Sequence, residues 1–391
     1  MVARRIIFLS EDRYSKHDHD RFGFDILQKR GFSVEFWDCS KIFRPNFQAE
    51  TSPLDLNGFS GLRCFSNKNS LFDSISCLTS QDTFIPIIIY NFQTWGILRQ
   101  IAGTKALWGM PRLGNFPIPR EESSFRGRLI KILRRPSVVA NIFLQKLPLK
   151  KLGLRPLDFI LRGGASTLMG AIAHFKDERT RILEAHAMDY DRYLLSLSEN
   201  VQNIYSENVV FLDDGGPFHR DQGIFNVPFP CSNDEYFSNL NSFFRIVEKK
   251  FNCPVVIASH PRVQYYKMEN PFEGRRIVQG ETHKLVKHSK FVFSSCSTSV
   301  NFPVMYKKPI VFLSINPIKR NHYDSMIKSI SASLGKLPVQ WADKDKIDWE
   351  RELVIDKDCY SQYMEAYIKK RGSPEKPCWE ILADYLASID G

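Results

Sequence analysis

The sequence predicts an α/β protein made of two doubly wound parallel-sheet domains. Three observations carry this. Short, continuous apolar runs closed by polar turn residues read as buried parallel strands: Phe84–Tyr90, Val209–Leu212, Phe291–Phe293 and Ile310–Leu313. Stretches with helical character separate these runs, as parallel crossovers require. The 391 residues suffice for two domains with a core each.

At the amino terminus, Arg5–Ser10 reads as a strand and Phe22–Lys29 as a helix stopped at Gly31. Phe32–Trp37 then gives a second strand, ending at Asp38. No G-x-G-x-x-G links strand to helix, so no dinucleotide is implied. The charged loop Glu11–Asp20, with His17 and His19, follows the first strand. Such a loop either lines a crevice or lies in solvent. Gly103–Pro119 reads as loop. Arg120–Arg162 is basic, with Arg126, Arg128, Lys131, Arg134, Arg135, Lys146, Lys150, Lys151 and Arg155 set among Leu, Ile and Phe. This pattern fits an anionic membrane surface, or an ordinary basic helical face. Ser166 lies in a Gly-Gly-Ala-Ser turn able to approach a phosphate or sugar, a weak signal. Asp189-Tyr190-Asp191 has metal-binding D-x-D spacing, but sits in a stretch read as helical. There the carboxylates diverge, which favours a structural or acceptor-side role.

The second half carries the denser signals. Val209–Leu212 ends in Asp213-Asp214-Gly215-Gly216, followed by His219. A carboxylate beyond a buried strand can take a proton from a hydroxyl or attack an anomeric carbon; it can also simply cap a turn. Glu235–Lys250 reads as an amphipathic helix. A strand, Val255–Ile257, leads to His260-Pro261 and Arg262. Glu281 and Thr282 precede a basic helix, Lys284–Lys290, and either approach the base and ribose or cap that helix. Phe291–Phe293 opens into Ser294, Ser295, Cys296, Ser297, Thr298 and Ser299 before a short helix, Val300–Tyr306. Hydroxyls and free backbone N–H groups together suit a phosphate. Beyond Leu313 the chain reads as polar and turn-rich to Ile347. The tail from Cys359 to Ile389 reads as helical, with its aromatic stripe serving as core.

The totals bound the function. A net charge of +11 and a pI near 9.2 imply an anionic partner. Eight scattered cysteines without a C-x-x-C pair suggest a reducing cytoplasm rather than a disulfide framework or zinc site. The opening apolar run, Ile6–Leu9, is too short for a signal peptide, and no stretch reaches a transmembrane length. No recognised nucleic-acid motif accompanies the charge, so nucleic acid is not an expected partner.

Asp213-Asp214-Gly215, His260-Pro261 and the Ser294–Ser299 hydroxyls, in this order, resemble motifs of bacterial sialyltransferases of the GT-B type. Related transferases of Kdo and other nonulosonic acids in surface polysaccharide synthesis are similar. The resemblance covers roughly residues 205–315. It implies two Rossmann-like domains facing a cleft, with carboxy-terminal helices packing back. Residues 1–200 would form the acceptor-binding domain, 201–345 the CMP-sugar domain and 346–391 the terminal helices. It further implies that Asp213 or Asp214 is catalytic. His260, Pro261, Glu281, Thr282, Ser294, Ser295, Ser297, Thr298 and Ser299 would hold the donor nucleotide. His219, Arg262, Ser166 and Asp189 are weaker candidates for acceptor or donor sugar. The expected partners are a CMP-activated sugar, an oligosaccharide or lipid-linked glycan acceptor and an anionic membrane surface. No cofactor or metal is expected. The expected location is the inner face of a bacterial cytoplasmic membrane. Whether the anomeric configuration is retained or inverted stays open. Two alternatives remain: a CDP-glycerol-type polyol-phosphate transferase, and a non-catalytic membrane-surface adaptor of polysaccharide assembly.

Overall fold

The computed structural model describes residues 4–45, 58–114, 116–119, 141, 143–168, 171–198, 208–219, 222, 229–314 and 322–390. Of the expected basic segment Arg120–Arg162, residues 120–140 and 142 lie outside the described residues. The chain divides into one unit drawn from Met1–Leu113, Glu121–His186 and Gly372–Gly391, and a second from Gly114–Arg120 and Ala187–Arg371.

The first unit holds seven parallel strands: β1 (Arg5–Ser10), β2 (Ser33–Asp38), β3 (Leu62–Cys64), β4 (Asp82–Ile87), β5 (Leu107–Arg112), β6 (Phe159–Arg162) and β7 (Arg181–Glu184). Their order is β3-β2-β1-β4-β5-β6-β7. β1 is central, with Ile7 in register with Glu35 on one side and Phe84 on the other. Its Ile6, Ile7, Phe8 and Leu9 are all inaccessible to solvent, which is why it reads as one unbroken apolar run.

Two expectations are corrected here. The stretch read as loop, Gly103–Pro119, contains β5, an interior strand. Gly109 and Pro111 disguise it: Gly109 is needed because the Phe159 ring of β6 lies 2.4 Å from where its Cβ would sit, and Pro111 gives up a ladder donor. The charged loop Glu11–Asp20 includes a helix, Lys16–Arg21, whose N-cap is Ser15. The Ser15 side chain accepts from the Asp18 N–H. His19 lies between the Tyr14 hydroxyl at 2.7 Å and Asp25 at 2.8 Å, so its role is local packing.

The second unit holds six parallel strands: β8 (Val209–Leu212), β9 (Val255–Ser259), β10 (Ile277–Gln279), β11 (Val292–Ser294), β12 (Ile310–Ser314) and β13 (Val339–Gln340). Their order is β10-β9-β8-β11-β12-β13. The helix Asn233–Phe251 starts at the Ser232 cap and stops at Asn252, whose φ of 48° is left-handed. It buries Tyr236, Leu240, Phe243, Phe244 and Val247 at three- and four-residue spacing. The stretch beyond Leu313, read as polar and turn-rich, holds a twelve-residue helix, His322–Ser333, another correction.

The tail is helical, as expected, and its aromatics Tyr360, Tyr363 and Trp379 are core. It is not one element, however. The helix Lys357–Tyr363 and the π-turn Met364–Ile368 belong to the second unit, while the helix Cys378–Asp390 packs back on the first. Trp379 meets Phe8 edge-on at 5.3 Å and donates to the Arg21 carbonyl at 2.8 Å. The compact units are divided at 186/187 and 371/372, with Gly114–Arg120 also grouped with the second. None of the eight cysteines is in a disulfide.

Candidate functional site

In the second unit the chain runs from β8 outward through β9 to β10, then returns to the other side of β8 with β11 and continues to β12 and β13. Adjacent strands β8 and β11 thus feed connections that leave in opposite directions. The carboxyl edge at such a reversal opens a crevice, because neighbouring crossovers diverge there. Asp213-Asp214 follows β8, His260 follows β9 and Ser295-Cys296 follows β11. The three motifs therefore meet along one edge.

The acidic pair connects them. Asp213 Oδ2 accepts from the His260 backbone N–H at 3.1 Å and the Tyr265 hydroxyl at 3.1 Å, and its Oδ1 accepts from Gly215 N–H at 3.0 Å. Asp214 Oδ2 accepts from Cys296 N–H at 3.0 Å and from the Tyr323 hydroxyl, and its Oδ1 accepts from Gly216 N–H at 3.0 Å. One carboxylate thus ties β8 to β9, and the other ties β8 to β11. Both side chains lie beneath the rim, Asp213 4% and Asp214 7% exposed.

Burial, reinforced by the neighbouring Asp214 charge, pushes the Asp213 carboxyl up to about 7 despite its three donors. A carboxyl that titrates near neutrality can hold or release a proton at working pH. Burial also raises the Tyr265 and Tyr323 phenols, with the adjacent Asp charges adding to the effect, so both hydroxyls remain donors.

The Gly-Gly turn is dictated by backbone and space. Gly215 and Gly216 have φ of 86° and 43°. A Cβ on Gly216 would lie 2.9 Å from the buried Tyr236 ring.

His260 is half-exposed on the rim. Its Nδ1 accepts from the Arg262 backbone N–H at 3.3 Å, which leaves the ring proton on Nε2. A neutral ring can therefore donate from Nε2. The His219 ring meets it edge-on at 4.9 Å, placing His219 in the same cluster. Gln279 donates to the His260, Pro261 and Val263 carbonyls, all at 3.1 Å, fixing this loop.

The hydroxyl turn splits by depth. Ser294 and Ser295 are buried at 0% and 1% exposure, under the rim. Ser297 caps the turn by accepting from Ser299 N–H at 3.2 Å, while Thr298 is exposed and Ser299 half-exposed. Glu281 occupies the N-cap position of the helix Thr282–His288 without a side-chain capping bond, so Thr282 opens its first turn rather than capping it.

The remaining candidates have other surroundings. Ser166 is in the first unit, in a 3-10 turn after β6. Asp189 stands in the first turn of the helix Met188–Ser198 and accepts from Asn301 Nδ2 at 2.8 Å. Arg262 is exposed. Arg275 is bonded to Glu248 at 2.7 Å and lies over the Phe244 face at 5.3 Å, a packing role. Tyr265 and Tyr323 were not found by sequence reasoning. Tyr265 follows the His-Pro loop and Tyr323 a stretch without a motif, and a lone tyrosine is too common to select. Among the described residues no group of three or more His, Cys, Asp or Glu is placed to hold a metal ion.

No family model matches the chain, and no curated protein matches it. Solved structures do. An S. aureus MnaA–UDP co-structure aligns over 100% of this chain and 97% of its own, at 12% identity and a TM-score of 0.50. The two parallel sheets together with this match decide the architecture. The fold is GT-B. Also matching are a Methanocaldococcus jannaschii UDP-GlcNAc 2-epimerase in complex with UDP-GlcNAc and UDP (11% identity, 98% of this chain and 99% of that one, TM-score 0.49) and the calicheamicin glycosyltransferase CalG4 (10%, 99% and 98%, 0.49). At these identities the GT-B likeness is one of fold.

Proposed function

We propose that the protein is a glycosyltransferase that moves a sugar from a nucleotide-activated donor to a glycan acceptor. The nucleotide would lie on the carboxyl edge of β9, β8 and β11. The observation that supports this is the convergence of three separate motifs at one reversal of strand order, with Asp213 and Asp214 bonded to the other two. From the motif set, the donor is a CMP-activated nonulosonic acid or Kdo, and the acceptor a surface glycan.

In this reading the phosphate gains charge as the anomeric C–O bond breaks and CMP departs. The His260 Nε2–H and the Thr298 and Ser299 hydroxyls would donate to it. The acceptor hydroxyl forms the new C–O bond and gives up its proton to the acidic pair. Asp213 suits that task, because its affinity for a proton is matched to neutral pH. Glu281 and Thr282 would lie toward the nucleoside, and His219 toward the transferred sugar.

A uridine nucleotide is the second reading, favoured by the UDP in the S. aureus MnaA co-structure that shares the fold. Nucleotide release is to be measured with CMP-Kdo, a CMP-sialic acid, UDP-GlcNAc and CDP-glycerol. CMP release from the first two supports the proposal; release from UDP-GlcNAc or CDP-glycerol alone replaces the donor, the latter in favour of polyol-phosphate transfer. His260→Ala is expected to raise the donor KM on the order of tenfold or more. Unchanged CMP affinity in that variant would remove His260 from the site. Full function with both Asp213 and Asp214 changed to Ala would point to the non-catalytic adaptor.

A further inference from the structure

We infer that the first unit carries a docking surface for an anionic lipid bilayer, formed where the loop after β4 meets residues 141 and 143–152. The two pieces are joined by the Phe92 backbone N–H donating to Asn141 Oδ1 at 2.9 Å, the Tyr90 hydroxyl to the Leu144 carbonyl at 3.3 Å and Trp95 Nε1 to the Leu152 carbonyl at 3.0 Å. Leu144 and Leu152 face the core at 6% exposure each, anchoring the segment. Outward, the same surface shows Ile89, Phe92 and Phe143 at 56%, 62% and 63% exposure. Large side chains this open are unremarkable singly, but three on two adjoining segments make a patch.

The charge around the patch selects its partner. Residues 88–105 and 141–154 contain Arg99, Lys105, Lys146, Lys150 and Lys151, and no Asp or Glu. Arg99, Lys146, Lys150 and Lys151 are exposed. Phe92 lies in the turn before the helix Trp95–Ala102, which carries Arg99; Lys146 follows Phe143 in a short helical stretch, and Lys150 and Lys151 lie in the 3-10 turn Leu149–Leu152. Gly153, at φ +67°, brings the second segment against the Arg99 side chain, within 2.7 Å of where a Cβ would stand. Aromatic side chains bordered by cations match the acyl–headgroup boundary of an anionic leaflet; the Glu11 carboxylate, which accepts from the Ile89 N–H at 2.8 Å, is already paired with Arg44 at 3.2 Å. The rings enter the boundary and the cations meet phosphates. An acidic protein partner would satisfy the cations but leave the rings exposed at its rim. No helix among the described residues is long and apolar enough to cross a membrane, so this contact lies on the surface.

The test is sedimentation of the full-length protein with phosphatidylcholine vesicles, with or without about one-third phosphatidylglycerol. Binding is expected to the anionic vesicles and to fall with salt. Phe92→Ser with Phe143→Ser, and separately Lys146→Gln with Lys150→Gln and Lys151→Gln, should each weaken it on the order of tenfold. Unchanged melting temperatures would show both variants folded, and nucleotide release with a soluble acceptor should be unaltered. Wild-type binding in both variants, equal binding to neutral vesicles or no binding at all overturns the proposal. So does a dimer that the phenylalanine variant dissociates, since a second copy would then cover the patch. Failure here leaves the glycosyltransferase reading intact, because its readout is nucleotide release in solution.

Discussion

Asp213 and Asp214 are neighbours in sequence, yet each reaches a different strand: one holds the His260 backbone, the other the Cys296 backbone. Two carboxylates buried side by side cannot both ionise without cost, and Asp213 carries the strain. Its folded carboxyl titrates near 7, against an ordinary value of 3.8, so between those values the folded state holds a proton that the unfolded state has lost. Stability from this residue is thus full below about pH 4 and is lost as pH rises through 7, each tenfold change in proton affinity being worth about 1.4 kcal/mol. Melting curves of wild type and Asp213→Asn across that range check this. The wild-type advantage should shrink as pH rises, and a parallel pair of curves would show that Asp213 ionises normally. The pair and its two glycines were legible in sequence because strand, turn and charge are consecutive there. The tyrosines that hold it were not, since Tyr265 and Tyr323 come from positions 52 and 109 residues away.

At the scale of elements, the helix His322–Ser333 shows how a polar stretch becomes structural. It reads as turn because its buried apolar residues, Met326, Ile327 and Ile330, are few and lie among serines and a lysine. In the fold it has a fixed end: Tyr323 donates to Asp214, and Asp324 accepts from Ser314 Oγ at 2.8 Å at the end of β12. A hydrogen bond to a buried charged group is worth about 1.5–3 kcal/mol. Tyr323→Phe should therefore cost about that much in urea unfolding and speed hydrogen exchange of the helix's amides. Exchange unchanged from wild type would mean that the contact does not hold the helix. Strand β5 was hidden for a different reason. Gly and Pro break the apolar run, and only the facing Phe159 ring shows why that glycine is there.

For the whole molecule, the first unit is discontinuous and its last piece is the helix Cys378–Asp390. That helix is held by Trp379 on Phe8 and by Arg30 to Asp384 at 2.6 Å. Losing one buried Trp alone costs about 3–5 kcal/mol. A chain ended at Arg371 should therefore lose the melting transition of the first unit while keeping that of the second, as read by calorimetry. A trace superimposable on wild type would show the helix dispensable.

The residues alone determined the α/β class, the central strands and the three motifs, because each is a local pattern: an apolar run, a glycine turn, a cluster of hydroxyls. Tertiary structure decided which motif residues lie on the rim and which beneath it, that Ser294 and Ser295 are buried while Thr298 is open, and that the tail divides between two units. These depend on which strands become neighbours. Strand order is set by packing among segments tens to hundreds of residues apart, and no local pattern records it.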